Sequence, residues 1–314
     1  MGILGIGVAC AGALVAGGVV ETVYFYGRTM KRQRAKVERT VKMAGTDWNQ
    51  YADILKERKE YMLAQPHEDI YQESFDGLKL HAAYFPAIKE SEKKKLVICF
   101  HGYTSQGLKD FIGLTDYYFK NGYAMIHPDA RAHGQSEGKY IGFGCLDRKD
   151  ALQWINWAVK KYGEDVEILL HGISMGGATV MMAGGLELPP QVKGIISDCG
   201  FTSPKEVFTH VLKTMYHLPS FPVMQGAELM NKKLAGYGMD ECNAKREVAK
   251  AKVPMLFIHG SKDTFVPTNM CNEIYECCAS KKKKLIVEGA AHAESYFKDM
   301  KSYEKALDEF IADL

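Results

Sequence analysis

The chain has 314 residues, 46% of them hydrophobic and 25% charged, with a net charge of +2. That length and apolar content provide for a sizeable core and exclude a chain that is disordered throughout. The nearly balanced charge excludes the broad basic field that gathers nucleic acid, and the runs Lys93–Lys95 and Lys281–Lys284, each just ahead of an apolar stretch, read as solvated loops. Eight cysteines without a C-x-x-C pair suggest neither a zinc site nor a disulfide framework and fit a reducing compartment.

Residues 3–20 carry no charge and form an apolar run that reads as a single membrane-spanning anchor, with Tyr24, Phe25 and Tyr26 at its far edge. A cleaved signal peptide is the rival, but no basic residue precedes the run, and Arg28, Lys31, Arg32, Arg34 and Lys36 all follow it. That asymmetry places the following domain in the cytoplasm. The anchor is assigned to residues 1–27. Residues 28–66, rich in Lys, Arg, Glu and Gln, suggest a polar helical connector that ends at Pro66. One domain follows, over residues 67–314.

That domain begins with two β-type runs around Asp76-Gly77, a hairpin signature closed by Pro86. Apolar strands then alternate with amphipathic helices: LVICFHGY before a helix over 107–120, YAMIHPD before 147–162, and VEILLHGIS before 175–187. GIISDCG, PMLFIHG and KKLIVEGA complete the series. Strands apolar along their whole length belong in a parallel sheet covered on both faces, so the fold class is α/β with a doubly wound, mostly parallel sheet. About fifty residues, 201–252, interrupt the alternation and read as an inserted helical lid. Its Met215, Met224, Met230 and Met239 are either core or the lining of an adaptable apolar pocket.

The stretch HGISMGGATV places Ser174 between a strand and a helix. Small residues at Gly172, Gly176 and Gly177 permit a turn tight enough to raise the hydroxyl above the sheet. The helix N-terminus beneath it favours negative charge. A serine hydroxyl attacks only when a base takes its proton and a carboxylate orients that base. In doubly wound hydrolytic folds the order is serine, acid, histidine. Asp263, in GSKDTFVP after the penultimate strand, is the candidate acid, with Asp198 in IISDCG as its rival. His210 and His217 fall in the insertion and His259 precedes Asp263, which leaves His292 in EGAAHAES as the base. Two donors for an oxyanion are expected from the backbone amides of Met175 and of Tyr103, the latter turned toward the site by His101-Gly102.

HGYTS, DARAHGQSEG, GISMGG, HGSKDTFVP and GAAHAES occur in this order from about residue 68 onward, and in them the chain resembles the α/β-hydrolases, in the branch of serine aminopeptidase and monoacylglycerol-lipase-like proteins. It looks most like membrane-anchored bacterial members. The resemblance implies Ser174 as nucleophile, Asp263 as acid, His292 as base and Tyr103 and Met175 as oxyanion amides. It also makes Asp129, Arg131, His133, Gly134 and Ser136 a supporting loop. Implied too is a serine hydrolase acting on a small acyl substrate, without metal or organic cofactor. An ester is the expected substrate. A peptidase or aminopeptidase, or a thioesterase acting on acylated proteins, would use the same residues, whereas a non-catalytic binding module would not need all three.

Overall fold

The computed structural model describes residues 19–32, 46–89 and 92–314. Most of the apolar run at residues 3–20 therefore lies outside the described residues, as does 33–45 of the connector. Among the described residues no helix is long and apolar enough to cross a membrane.

An eight-stranded sheet organises the chain. Its strands are β1 (Glu68–Glu73), β2 (Lys79–Phe85), β3 (Lys95–Phe100), β4 (Tyr123–Pro128), β5 (Glu167–Ile173), β6 (Val192–Asp198), β7 (Met255–Gly260) and β8 (Lys282–Val287). They lie in the order β1-β2-β4-β3-β5-β6-β7-β8. β1 and β2 form the expected antiparallel hairpin, and β2 joins β4 antiparallel. The six strands from β3 to β8 are parallel. From β3 to β7 the strands are buried almost end to end, because apolar layers cover both faces.

The helices are set by local chemistry. In α4 (Asp147–Tyr162) the apolar residues Ala151, Trp154, Ile155 and Ala158 recur at helical spacing and are buried, and Gly163 closes the helix at φ 90°. The interval between β6 and β7 is helical, with α6 (Pro204–Met215), α7 (Val223–Leu234) and α8 (Ala244–Val248). α6 opens with Ser203 accepting from the Glu206 N–H and Pro204 in its first turn. Met224 and Met239 are core residues, and Met215 and Met230 pack at its margin. The helix expected over 107–120 shrinks to α3 (Thr115–Lys120) after a 3-10 turn at Lys109–Phe111. Asp110 is drawn away from it, accepting from the Gly102 N–H at 2.7 Å and from the Ser105 hydroxyl.

Two expectations ahead of the domain need correction. Residues 19–29 form a helix, α1, whose Thr22, Phe25 and Tyr26, followed by Met30, are buried, while Tyr24 is 64% exposed. Phe25 and Tyr26 are thus core residues instead of an aromatic belt at a bilayer edge. Their spacing gives α1 one apolar face, and that face packs on the insertion: Phe25 meets Phe208 edge-on at 5.8 Å, and Tyr26 donates to Asn231 of α7. The connector is not one helix either: among its described residues, α1 ends at 29, Lys31 pairs with Tyr140 as an isolated bridge, Trp48–Tyr51 is a 3-10 turn, and α2 (Ala52–Leu63) is a separate α-helix. Met62 of α2 is buried in the core layer that also holds Phe85 and Phe119, so this segment docks on the domain.

Candidate active site

Ser174 directly follows β5 and precedes α5 (Met175–Ala183), with φ 55° and ψ −110°. A left-handed φ at a residue with a side chain costs of order 1–3 kcal/mol and persists only where its surroundings enforce it. Here they do. A Cβ at Gly172 would lie 2.1 Å from the Gly176 carbonyl oxygen, and one at Gly176 would lie 1.8 Å from the Phe100 carbonyl oxygen. The turn closes only because both positions lack a side chain, and the Ser174 N–H is tied to the Asp198 carbonyl at 2.8 Å.

His292 follows β8, and Asp263 follows β7. The His292 Nε2 is 2.9 Å from Ser174 Oγ, and its Nδ1 is 2.7 Å from Asp263 Oδ2. Asp263 Oδ1 accepts from the backbone N–H groups of Phe265 at 3.0 Å and Val266 at 2.8 Å, which fixes the carboxylate plane. Burial opposes ionisation of Asp263, but His292 and His259 beside it outweigh burial and hold the carboxyl well below its ordinary range. The rival Asp198 is turned elsewhere: its Oδ2 accepts from the Tyr303 hydroxyl at 3.1 Å. Burial pushes its pKa up to about 6.

His259 is a neighbour that the order of residues did not single out. Its Nε2 donates to the Val266 carbonyl at 2.8 Å and lies 3.3 Å from Asp263 Oδ2. Burial opposes its protonation, yet Asp263 and Cys271 push its pKa up to about 10. Asp263 therefore sits between two imidazoles. The spacing of four residues between His259 and Asp263 was a signal that reading for a base alone passes over.

Gly102 lies against Ser174, since a Cβ there would be 3.4 Å from the serine Cβ and 3.2 Å from Asp110 Oδ2. Tyr103 follows Gly102 in this loop, and Met175 follows Ser174 at the start of α5. His101 supports the turn from beneath, with Nδ1 donating to the Gly102 carbonyl at 2.7 Å and Nε2 accepting from the Ala130 N–H at 3.0 Å. The loop of Asp129 to Ser136 supports it in turn. Asp129 accepts from the Gly107 and Gln135 N–H groups at 3.0 and 2.9 Å. Arg131 is buried and ion-pairs with Asp150 at 2.7 Å and Asp76 at 3.0 Å. His133 accepts from the Thr104 N–H at 3.3 Å, and burial pushes its pKa down to about 3, so it is neutral. Arg32, beyond α1, donates to the carbonyls of Gly134 and Ser136, and the Tyr103 hydroxyl donates to the Arg28 carbonyl at 3.2 Å.

Cys199, Asp263 and His292 offer ligand atoms within 4.8 Å of one another. They make a poor metal site: burial raises the Cys199 thiol well above its ordinary range, and the other two are already hydrogen-bonded to each other.

A family model described as serine aminopeptidase, S33, matches residues 91–237. The uncharacterized protein YqkD of Bacillus subtilis is 29% identical over 219 residues, covering 70% of this chain and 71% of that protein. An uncharacterized membrane protein of Saccharomyces cerevisiae, YNL320W, is 23% identical over 224 residues, covering 70% and 71%. Among structures, the Pyrococcus furiosus esterase Pf2001 superposes with a TM-score of 0.65 at 21% identity, over 81% of this chain and 93% of that one. Est1E of Butyrivibrio proteoclasticus, with ferulic acid bound, gives 0.59 at 21% identity, over 77% and 99%. With its eight-stranded sheet, its strained serine between β5 and α5 and these likenesses together, the chain is a member of the α/β-hydrolase superfamily.

Proposed function

We propose that the chain is a serine hydrolase that cleaves a carboxylic ester through an acyl-enzyme intermediate. The observation that carries this reading is the unbroken hydrogen-bonded line from Asp263 through His292 to Ser174. Ionised Asp263 accepts the His292 Nδ1–H, which leaves the Nε2 lone pair facing Ser174 Oγ. As Oγ attacks the ester carbonyl carbon, its proton passes to Nε2 and the carbonyl π electrons move onto oxygen. The Tyr103 and Met175 amides are the donors for that oxyanion. Collapse expels the alkoxide, which takes the proton from Nε2 and leaves as the alcohol, with the acyl group on Ser174. A water molecule, deprotonated by Nε2, then attacks the acyl carbon and releases the acid and the free serine.

Two features favour an apolar acyl ester over an aminoacyl substrate. Tyr103, Phe143, Phe208 and Phe25 form successive ring contacts of 5.2, 4.8 and 5.8 Å leading from the oxyanion loop through Phe208 of the insertion to α1. The acidic residues of the insertion are engaged locally: Glu228 accepts from Met239 N–H, Glu241 from Gly238 N–H, and Asp240 from Asn243. The esterases that share the fold support the same choice.

The insertion acts in this reading as a lid over the acyl group. The charge-free residues upstream support membrane attachment, and the basic residues that follow them support a domain on the cytoplasmic side, tested by whether the full chain sediments with membranes and resists protease added outside intact cells. The reaction itself is tested with p-nitrophenyl esters of graded acyl length beside aminoacyl amides and an acyl thioester. Ester turnover that Ser174→Ala abolishes is expected, and a preference for the amides overturns the ester reading.

A further inference from the structure

The loop that carries His292 is held from outside the hydrolase domain. Ala293, next to the histidine, has φ 57°, a left-handed conformation that a residue with a side chain adopts only under restraint. Buried Glu294 restrains it from within, since its Oε2 accepts from the Ala291 N–H at 2.8 Å. The other oxygen of that carboxylate faces the segment ahead of the domain. Tyr51 donates its hydroxyl to Glu294 Oε1 at 2.7 Å, and Gln50 Nε2 lies 3.4 Å from the same oxygen. Thr46 donates to the carbonyl of His292 itself at 3.3 Å. Trp48 and Tyr51 both pack on Phe297, at 5.9 and 5.3 Å, in the short helix that follows the loop. The turn presenting these side chains is built for it, because Asp47 accepts from the Asn49 N–H at 3.1 Å and opens the 3-10 turn.

We propose that residues 46–51 are a positioning brace for the base: through Thr46, Tyr51 and Glu294 they hold the His292 loop so that Nε2 meets the serine. Thr46 and Tyr51 lie ahead of the hydrolase domain, and Glu294 lies on the loop of the base that they hold. It rests on the reading of His292 as the base. Glu294 is the pivot: a buried carboxylate whose two oxygens are bound by the loop on one side and by Tyr51 on the other moves the loop when either is released.

The test uses the full chain with p-nitrophenyl butyrate and a fluorophosphonate probe. Tyr51→Phe, which removes one hydroxyl and keeps the ring on Phe297, is expected to lower kcat and the labelling rate between about 10- and 100-fold, with KM within about twofold, as a misplaced catalytic group does. Glu294→Gln is expected to lose kcat similarly, because a carboxamide cannot accept from both Ala291 and Tyr51. Tyr117→Phe is the control. It removes a tyrosine–carboxylate bond of the same 2.7 Å length, to Asp308, remote from the site, and is expected to lower stability without changing kcat. Wild-type kcat and labelling in Tyr51→Phe overturn the brace, as does an equal loss in Tyr117→Phe, which would tie activity to overall stability. If His292→Ala keeps full activity, the reading of the base fails, and the brace with it; if only Tyr51→Phe is silent, the brace alone fails.

Discussion

Replacing Asp263 with Asn separates the charge of the acid from its shape. Oδ1 accepts two backbone N–H groups, from Phe265 and Val266, so the carboxamide keeps its oxygen there and its NH2 takes the place of Oδ2. That NH2 then faces the His292 Nδ1, which the carboxylate contacts at 2.7 Å. Donation from the amide forces the imidazole proton onto Nε2, and Ser174 Oγ meets a donor where it needs an acceptor. Reversal of the tautomer in serine proteases costs about 10,000-fold in kcat, or about 5 kcal/mol of transition-state stabilisation. The same loss is expected in p-nitrophenyl butyrate hydrolysis and in the rate of fluorophosphonate labelling, with the fold retained by circular dichroism. Activity within about tenfold of wild type would refute the reasoning. So would an equal loss in Asp198→Asn, because Asp198 is bound to Tyr303 instead.

Gly176→Ala places a methyl group 1.8 Å from the Phe100 carbonyl oxygen, where only backbone can yield. It should cost about 3 kcal/mol or more by chemical denaturation, and an unchanged midpoint would show that the turn tolerates a side chain. Arg131→Met leaves buried Asp150 without the ion pair now measuring 2.7 Å. The expected loss is about 3–5 kcal/mol, and a loss below about 1 kcal/mol would mean that the loop does not depend on it. His259 is held above its ordinary value of 6.5, at about 10, so its charge adds stability that is fully present below pH 6.5 and lost as pH rises toward 10. The urea midpoint should decline over that window in wild type and decline less in His259→Gln; parallel curves would refute the pairing with Asp263.

The legible parts of the fold were those written in local pattern. Apolar runs such as LVICF and EILLH specify buried parallel strands whatever their order in the sheet. The Asp76-Gly77 pair marks the hairpin between β1 and β2. The interval 201–252 announced itself by breaking the alternation, and it is helical. The helix over 107–120 was overdrawn because its first half serves a contact with Gly102 that no local pattern encodes. Tyr24, Phe25 and Tyr26 read alike as three adjacent aromatics, yet only Phe25 and Tyr26 turn inward. A helix buries whichever face meets a partner, and the partner here, α7 with Asn231, lies some two hundred residues away.

The site divides along the same line. Ser174 and its glycines form one contiguous motif, because a strained turn needs its small residues within a few positions. Asp263 and His292 were reachable through order alone, since successive parallel strands deliver their C-terminal ends to one edge of the sheet. Distance was not reachable: that His292 sits 2.7 Å from Asp263 and not beside Asp198 depends on how β6, β7 and β8 register. Nothing in the order of residues hints at Thr46 or Tyr51, whose roles arise from side chains converging across separate elements, and the four-residue spacing of His259 and Asp263 does not by itself show that they pair. Sequence determined the chemistry available at each strand end, because residue type and local conformation are written along the chain. Tertiary structure decided which of those groups face one another, because only packing brings distant segments within the reach of a hydrogen bond.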